Sequence, residues 1–94
     1  NIDQLRAKID ILDENLLYTL ASRMKVSRQI GEYKRDSNIA ILQTSRWDTV
    51  LAKVVEKGAE FGLPGDFIKD IFNAIHEASV EVQNEIISGK SSEQ

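Results

Sequence analysis

From Leu5 onward the apolar positions recur at steps of three and four: Leu5, Ile9, Leu12, Leu16 and Leu20, then Ile30. Set around a helix at about 100° per residue, they fall with Ser27 in one stripe about 80° wide. No Pro interrupts Asn1 to Asp36, and Gly31 is the lone Gly there, so the stretch is predicted as a single helix. An irregular piece follows around residues 37–43. The next segment, TSRWDTVLAKVVEKGAEFG, is predicted as a second helix, capped by Thr44 or Ser45 and ended by Gly62. Its stripe is Trp47, Leu51, Val54 and Phe61, with Val50 nearby and Arg46 flanking. LPGD reads as a turn. FIKDIFNAIHEASVEVQNEII is the third helix, with Ile68, Ile71, Ile75, Val82 and Ile86 inward, Ser79 among them and Gln83 at the edge. Alternation with period two is not sustained, so the expected class is all-α: three helices, the first much the longest.

That length carries a consequence. Some 33 helical residues span roughly 50 Å, whereas a compact domain of this size has a radius of gyration of only about 12–13 Å. One subunit cannot cover such a stripe, so an intertwined homodimer is expected, with long helices packed against each other.

Five basic residues crowd LASRMKVSRQIGEYKRD, Leu20 to Asp36, in a chain whose net charge is −3. Lys25, Arg28 and Arg35 fall outside the apolar stripe and read as solvated. Arg23 and Lys34 fall inside it, where Leu or Ile would be expected. A buried unpaired cation costs several kcal/mol, so something must meet them. The pattern leaves two readings: an ion pair with another helix or snorkelling to an edge, or an external anion. The stripes of the other helices add Ser79 and Gln83, with Arg46 at the rim, and no Asp or Glu centrally placed on the third. Excess cations and neutral donors suit a small polyanion, most simply a dicarboxylate held by Arg forks.

The remaining composition excludes more than it adds. Ninety-four residues, 41% hydrophobic and 29% charged, suit one soluble domain. The acidic balance argues against nucleic-acid binding, and no apolar run approaches a membrane span. With no Cys there is no thiolate site, which fits a cytoplasmic setting. His76 has no Cys or second His to form a metal site and is expected at a helix surface or boundary; Trp47 is expected in the core. No nucleophile–base pair or phosphate loop is visible, so no metal or cofactor is expected. The domain is placed at 1–87, with 88–94, SGKSSEQ, as a polar tail or linker. The start at Asn1 rather than Met suggests a processed chain or a piece of a longer polypeptide.

LRAKIDILDENLLYTLASRMKVSRQIGEYK resembles the first helix of the all-helical (AroQ-type) chorismate mutases, through Leu5-Arg6, Ile9, Leu12-Asp13, Leu16-Leu17, Arg23, Ile30-Gly31 and Lys34. The likeness continues through Arg46 to EASVEVQ, with Ser79 and Gln83. It implies an intertwined dimer that rearranges chorismate to prephenate without cofactor or covalent intermediate, in phenylalanine and tyrosine biosynthesis. By that resemblance Arg23, Arg46 and the neighbouring subunit's Arg6 bind substrate carboxylates. Lys34 bridges a carboxylate and the ether oxygen, Gln83 donates to that oxygen, and Ser79 lies near the ring hydroxyl. The best-known members carry acidic residues where this chain has Gln43 and Trp47. Gln43 can accept the hydroxyl's hydrogen bond; an indole only donates. An isochorismate pyruvate lyase of the same fold and a non-catalytic helical dimer remain as alternatives, and fusion to another aromatic-pathway enzyme is compatible with the ends of the chain.

Overall fold

The computed structural model describes residues 1–40 and 44–89, the side chains of 44 and 45 excepted. Three helices are formed by the described residues: α1 (Ile2–Ser37), α2 (Thr44–Glu60) and α3 (Gly65–Ile87). No strand occurs among the described residues.

Each helix end has a local cause. Asn1 caps α1 by accepting from the Gln4 backbone N–H, while the Gln4 side chain reaches back to the cap, which satisfies two otherwise orphaned donors. Asn38 closes α1 in the left-handed region, φ 56°, and the Ile39 N–H donates to the Lys34 carbonyl at 2.9 Å. Gly62, at φ 76°, ends α2 in the same way, with the Leu63 N–H donating to the Gly58 carbonyl at 2.9 Å. Helix α3 starts at Gly65, two residues before the Phe67 that opens the periodic pattern. Pro64 is its extended N-cap residue, its carbonyl accepting from the Ile68 N–H at 3.1 Å, and Asp66 in the first turn suits the positive end of the helix dipole. Half of the LPGD turn is therefore helix.

Helix α3 is the shared element: among the described residues α1 and α2 each pack against it and not directly against each other. At the α2–α3 corner Gly58 lies flush on Ile68, where an added Cβ would sit 2.9 Å from Ile68 Cγ1. Phe61 departs from the expected stripe. It lies just past the end of α2 and is 71% exposed, with Lys57 Nζ 5.6 Å from its ring centroid.

The molecule is a slab, 54 × 33 × 15 Å, little thicker than one helix, which is about 10–12 Å across. Its radius of gyration is 16.3 Å, against roughly 12–13 Å for a compact domain of this length. Among the described residues Ile68 is the one buried large apolar side chain. The first 19 residues of the chain are all exposed, including Leu12 at 60% and Leu17 at 65%.

Candidate active site

The C-terminal half of α1 carries the site, since there Arg23, Ser27 and Gly31 meet Ser79 and Gln83 of α3. Gly31 permits the approach: a Cβ at that position would lie 3.2 Å from both Cα and Cγ of Gln83. On either side of this crossing the inward face is polar. Ser27 and Ser79 are buried, and Arg23 and Lys34 are half-buried. Arg46, exposed at the start of α2, and Trp47 complete the rim. Together they line a cleft of about 380 Å³ shared by all three helices. That volume suits a small-molecule site at the lower end of the usual range.

Hydrogen bonding fixes what the cleft offers. Arg23 Nη1 donates to Ser79 Oγ at 3.1 Å, and Ser27 Oγ donates to the same oxygen at 2.9 Å. A hydroxyl has two lone pairs, so both are occupied and Ser79 is left as a donor, its hydrogen resting on Met24 Sδ at 4.0 Å. Gln83 Oε1 is buried with no hydrogen-bond partner. An orphaned buried acceptor costs about 1–3 kcal/mol. Gln83 lines the cleft, and its amide Nε2 is a donor. No Asp or Glu lies among the described residues that line the cleft. Three ion pairs, Arg6–Asp3, Arg35–Asp36 and Lys57–Glu60, sit on exposed surface elsewhere. Lys25, Arg28 and Arg35 are exposed, as expected from their positions outside the stripe.

Of the residues singled out by sequence, Arg23, Lys34, Arg46, Ser79 and Gln83 converge on this cleft. Arg6 does not. It precedes Arg23 by nearly five turns, about 25 Å along the helix, and its side chain is 73% exposed beside Asp3. Gln43 lies outside the described residues. Trp47 is a half-buried cleft wall rather than a core residue. His76 is at a helix boundary, as expected, half-buried; beyond that expectation it lines the cleft and stacks on Trp47 with ring centroids 4.0 Å apart and planes 9° from parallel. Its pKa is lowered, chiefly by burial, then by the neighbouring positive charge of Arg23 and Lys34, with Glu77 opposing. A signal was present in the sequence: His76, Ser79 and Gln83 share one face of α3 at helical spacing.

Guanidinium, ammonium, hydroxyl and amide donors around one cleft of an all-helical domain define a class: a small α-helical enzyme for an anionic substrate. Residues 5–84 match the family model of chorismate mutase type II. The chain belongs to that family, whose members are isomerases. It is 29% identical over 87 residues to a 4-amino-4-deoxychorismate mutase of Streptomyces pristinaespiralis, covering 93% of this chain and 67% of that protein. A 4-amino-4-deoxychorismate mutase of Streptomyces venezuelae is 27% identical over 90 residues, covering 96% and 87%. The bifunctional chorismate mutase/prephenate dehydratase of Escherichia coli (strain K12) is 31% identical over 83 residues, covering 88% of this chain but only 22% of that protein.

Proposed function

We propose that this domain converts chorismate to prephenate in phenylalanine and tyrosine biosynthesis. The observation that carries the reading is the convergence of Arg23, Lys34 and Arg46 with the Gln83 amide on a cleft that no described carboxylate lines. Chorismate has two carboxylates, an enolpyruvyl ether and a ring hydroxyl. In the rearrangement the ether C–O bond breaks as a C–C bond forms, within one molecule and with no proton transferred. A nucleophile or base is therefore unnecessary. Arg23 and Arg46 hold carboxylates and fold the enolpyruvyl arm over the ring. Negative charge grows on the ether oxygen as its bond breaks. Lys34 and Gln83 Nε2 donate there, and donors that gain strength in the transition state raise turnover rather than mere binding.

The working unit in this reading is a homodimer. One subunit leaves the apolar stripe of α1 bare from Leu5 to Leu16, and a second copy of the same helix is its natural cover. Arg6, too far to reach its own cleft, then serves the neighbour's. The domain is placed at 1–87, in a cytoplasmic setting, with 88–94 as tail or linker. Fusion to another pathway enzyme is part of the proposal, supported by the bifunctional relative of which the match covers 22%.

Absorbance and product analysis with purified protein and chorismate test the reaction; release of pyruvate, or no product, overturns it. Mixing Arg6→Ala with Lys34→Ala chains tests the dimer. Each is expected to be inactive alone, and heterodimers regain activity because one of the two clefts has both wild-type residues. A second substrate, 4-amino-4-deoxychorismate, is favoured by the two Streptomyces relatives and belongs in the same assay.

A further inference from the structure

A substrate with a ring hydroxyl brings a donor into the cleft, and a buried donor left unmet weakens binding. The cleft is rich in donors and nearly empty of acceptors. Arg23, Lys34, Arg46 and Trp47 can only donate. Ser79 Oγ has both lone pairs occupied, by Arg23 and Ser27. Gln83 Oε1 is buried out of reach. Two lining side chains among the described residues keep an acceptor that these hydrogen bonds do not use: Ser27, whose hydroxyl donates to Ser79 and is buried at 5% exposure, and His76, which is half-buried and the more accessible of the two.

We propose that His76, held flat against Trp47, accepts the hydrogen bond of the substrate's ring hydroxyl and so determines recognition of that end of the substrate. The proposal rests on the chorismate reading above. Position supports it. His76 precedes Gln83 by about two turns of α3, roughly 10 Å along the axis, so one long cleft presents a donor at its Gln83 end and an acceptor at its His76 end. The stack on Trp47 restrains the imidazole's tilt, which leaves its ring edge as the group that meets a ligand. Trp47, unable to accept, acts as the positioning residue. The surroundings keep the imidazole neutral. Arg23 and Lys34 from α1 and Arg46 from α2 bring positive charge to the cleft, and Glu77 on α3 is the opposing carboxylate. A neutral imidazole has one acceptor nitrogen; a protonated one has none.

The test pairs two substrates with three proteins. Chorismate is compared with its analogue carrying hydrogen in place of the ring hydroxyl, on wild type, His76→Ala and His76→Gln. With chorismate, His76→Ala is expected to lose about tenfold or more in kcat/KM, the effect of one buried donor left unpaired. With the deoxy analogue the same variant loses little, since nothing there needs an acceptor. His76→Gln, whose amide oxygen accepts, recovers part of the loss. Wild type on chorismate declines as pH falls below the usual histidine value of about 6.5, and His76→Gln lacks that limb. Because each variant is compared with itself on two substrates, partial unfolding cancels. Equal losses on both substrates, or an unchanged His76→Ala, overturn the proposal while leaving the chorismate reading standing. A wild type that makes no prephenate overturns both.

Discussion

The two halves of α1 share one hydrophobic stripe and stand in opposite circumstances. From Leu5 to Leu16 the stripe is uniformly apolar and bare. From Leu20 to Lys34 the same stripe acquires Arg23, Ser27 and Lys34 and is partly covered by α3, with Ser27 buried, Arg23 and Lys34 half-buried and Ile30 still exposed. In one subunit, then, the apolar part faces solvent and the polar part is partly packed. The inversion is resolved if the apolar half is the assembly surface and the polar half is a site for a ligand, and each half can be attacked separately.

The largest effect is expected from charging the bare half. Ile9→Glu with Leu16→Glu would bury unpaired carboxylates at several kcal/mol each, twice over in a symmetric dimer. Sedimentation should find monomer at micromolar concentration, with most helical circular dichroism lost. A double variant that stays folded, monomeric and active would remove the assembly role. Next comes the packed half. Lys34→Ala should lower turnover by about 10²–10³, as for removal of one preorganised donor, with the oligomeric state unchanged; Lys34→Gln should recover little. A variant losing dimer and turnover together would mean that the halves are not separable. Gly58→Ala, at the α2–α3 corner, drives a methyl into Ile68 Cγ1 at 2.9 Å. Overpacking of this kind costs about 1–3 kcal/mol, visible in denaturant unfolding, with turnover per folded molecule intact.

The smallest effect is on stability against acid. The pKa of His76 is lowered in the fold, so below about 6.5 the unfolded chain takes up a proton that the native one resists. Stability therefore falls as pH drops through that range. His76→Gln should remove this component, leaving a shallower slope in the same unfolding series. An unchanged slope would place His76 in solvent rather than in the cleft wall.

Much of this was legible in the sequence. The period of the apolar residues located all three helices, and the intrusion of Arg23 and Lys34 into the α1 stripe marked the cleft, because helical geometry fixes which positions share a face. Boundaries were less legible. Phe61 fits the α2 period, but the chain leaves the helix at Glu60 for the left-handed Gly62, and one residue of early termination turns the ring to solvent. His76 was missed as a cleft residue for another reason: a lone His on a helix makes no pattern by itself, and its partner Trp47 comes from a different helix, so only the packing of α2 and α1 around α3 brings them together.

Gly31 touches no ligand and contributes no charge, yet it governs how the cleft can be reused. Its missing side chain lets α1 rest on the backbone of α3 at Gln83, one turn from Ser27 on one side and Lys34 on the other. It behaves as a caliper stop: the jaws are the two helices, and their opening is set where nothing projects. A methyl there would wedge the jaws by a few tenths of an ångström, comparable to the width of the window within which a donor hydrogen-bonds well, about 2.7–3.2 Å. Anyone grafting this cleft onto another three-helix scaffold should transplant the glycine before any of the cations, because charges can be re-aimed by rotamer choice and the gap cannot.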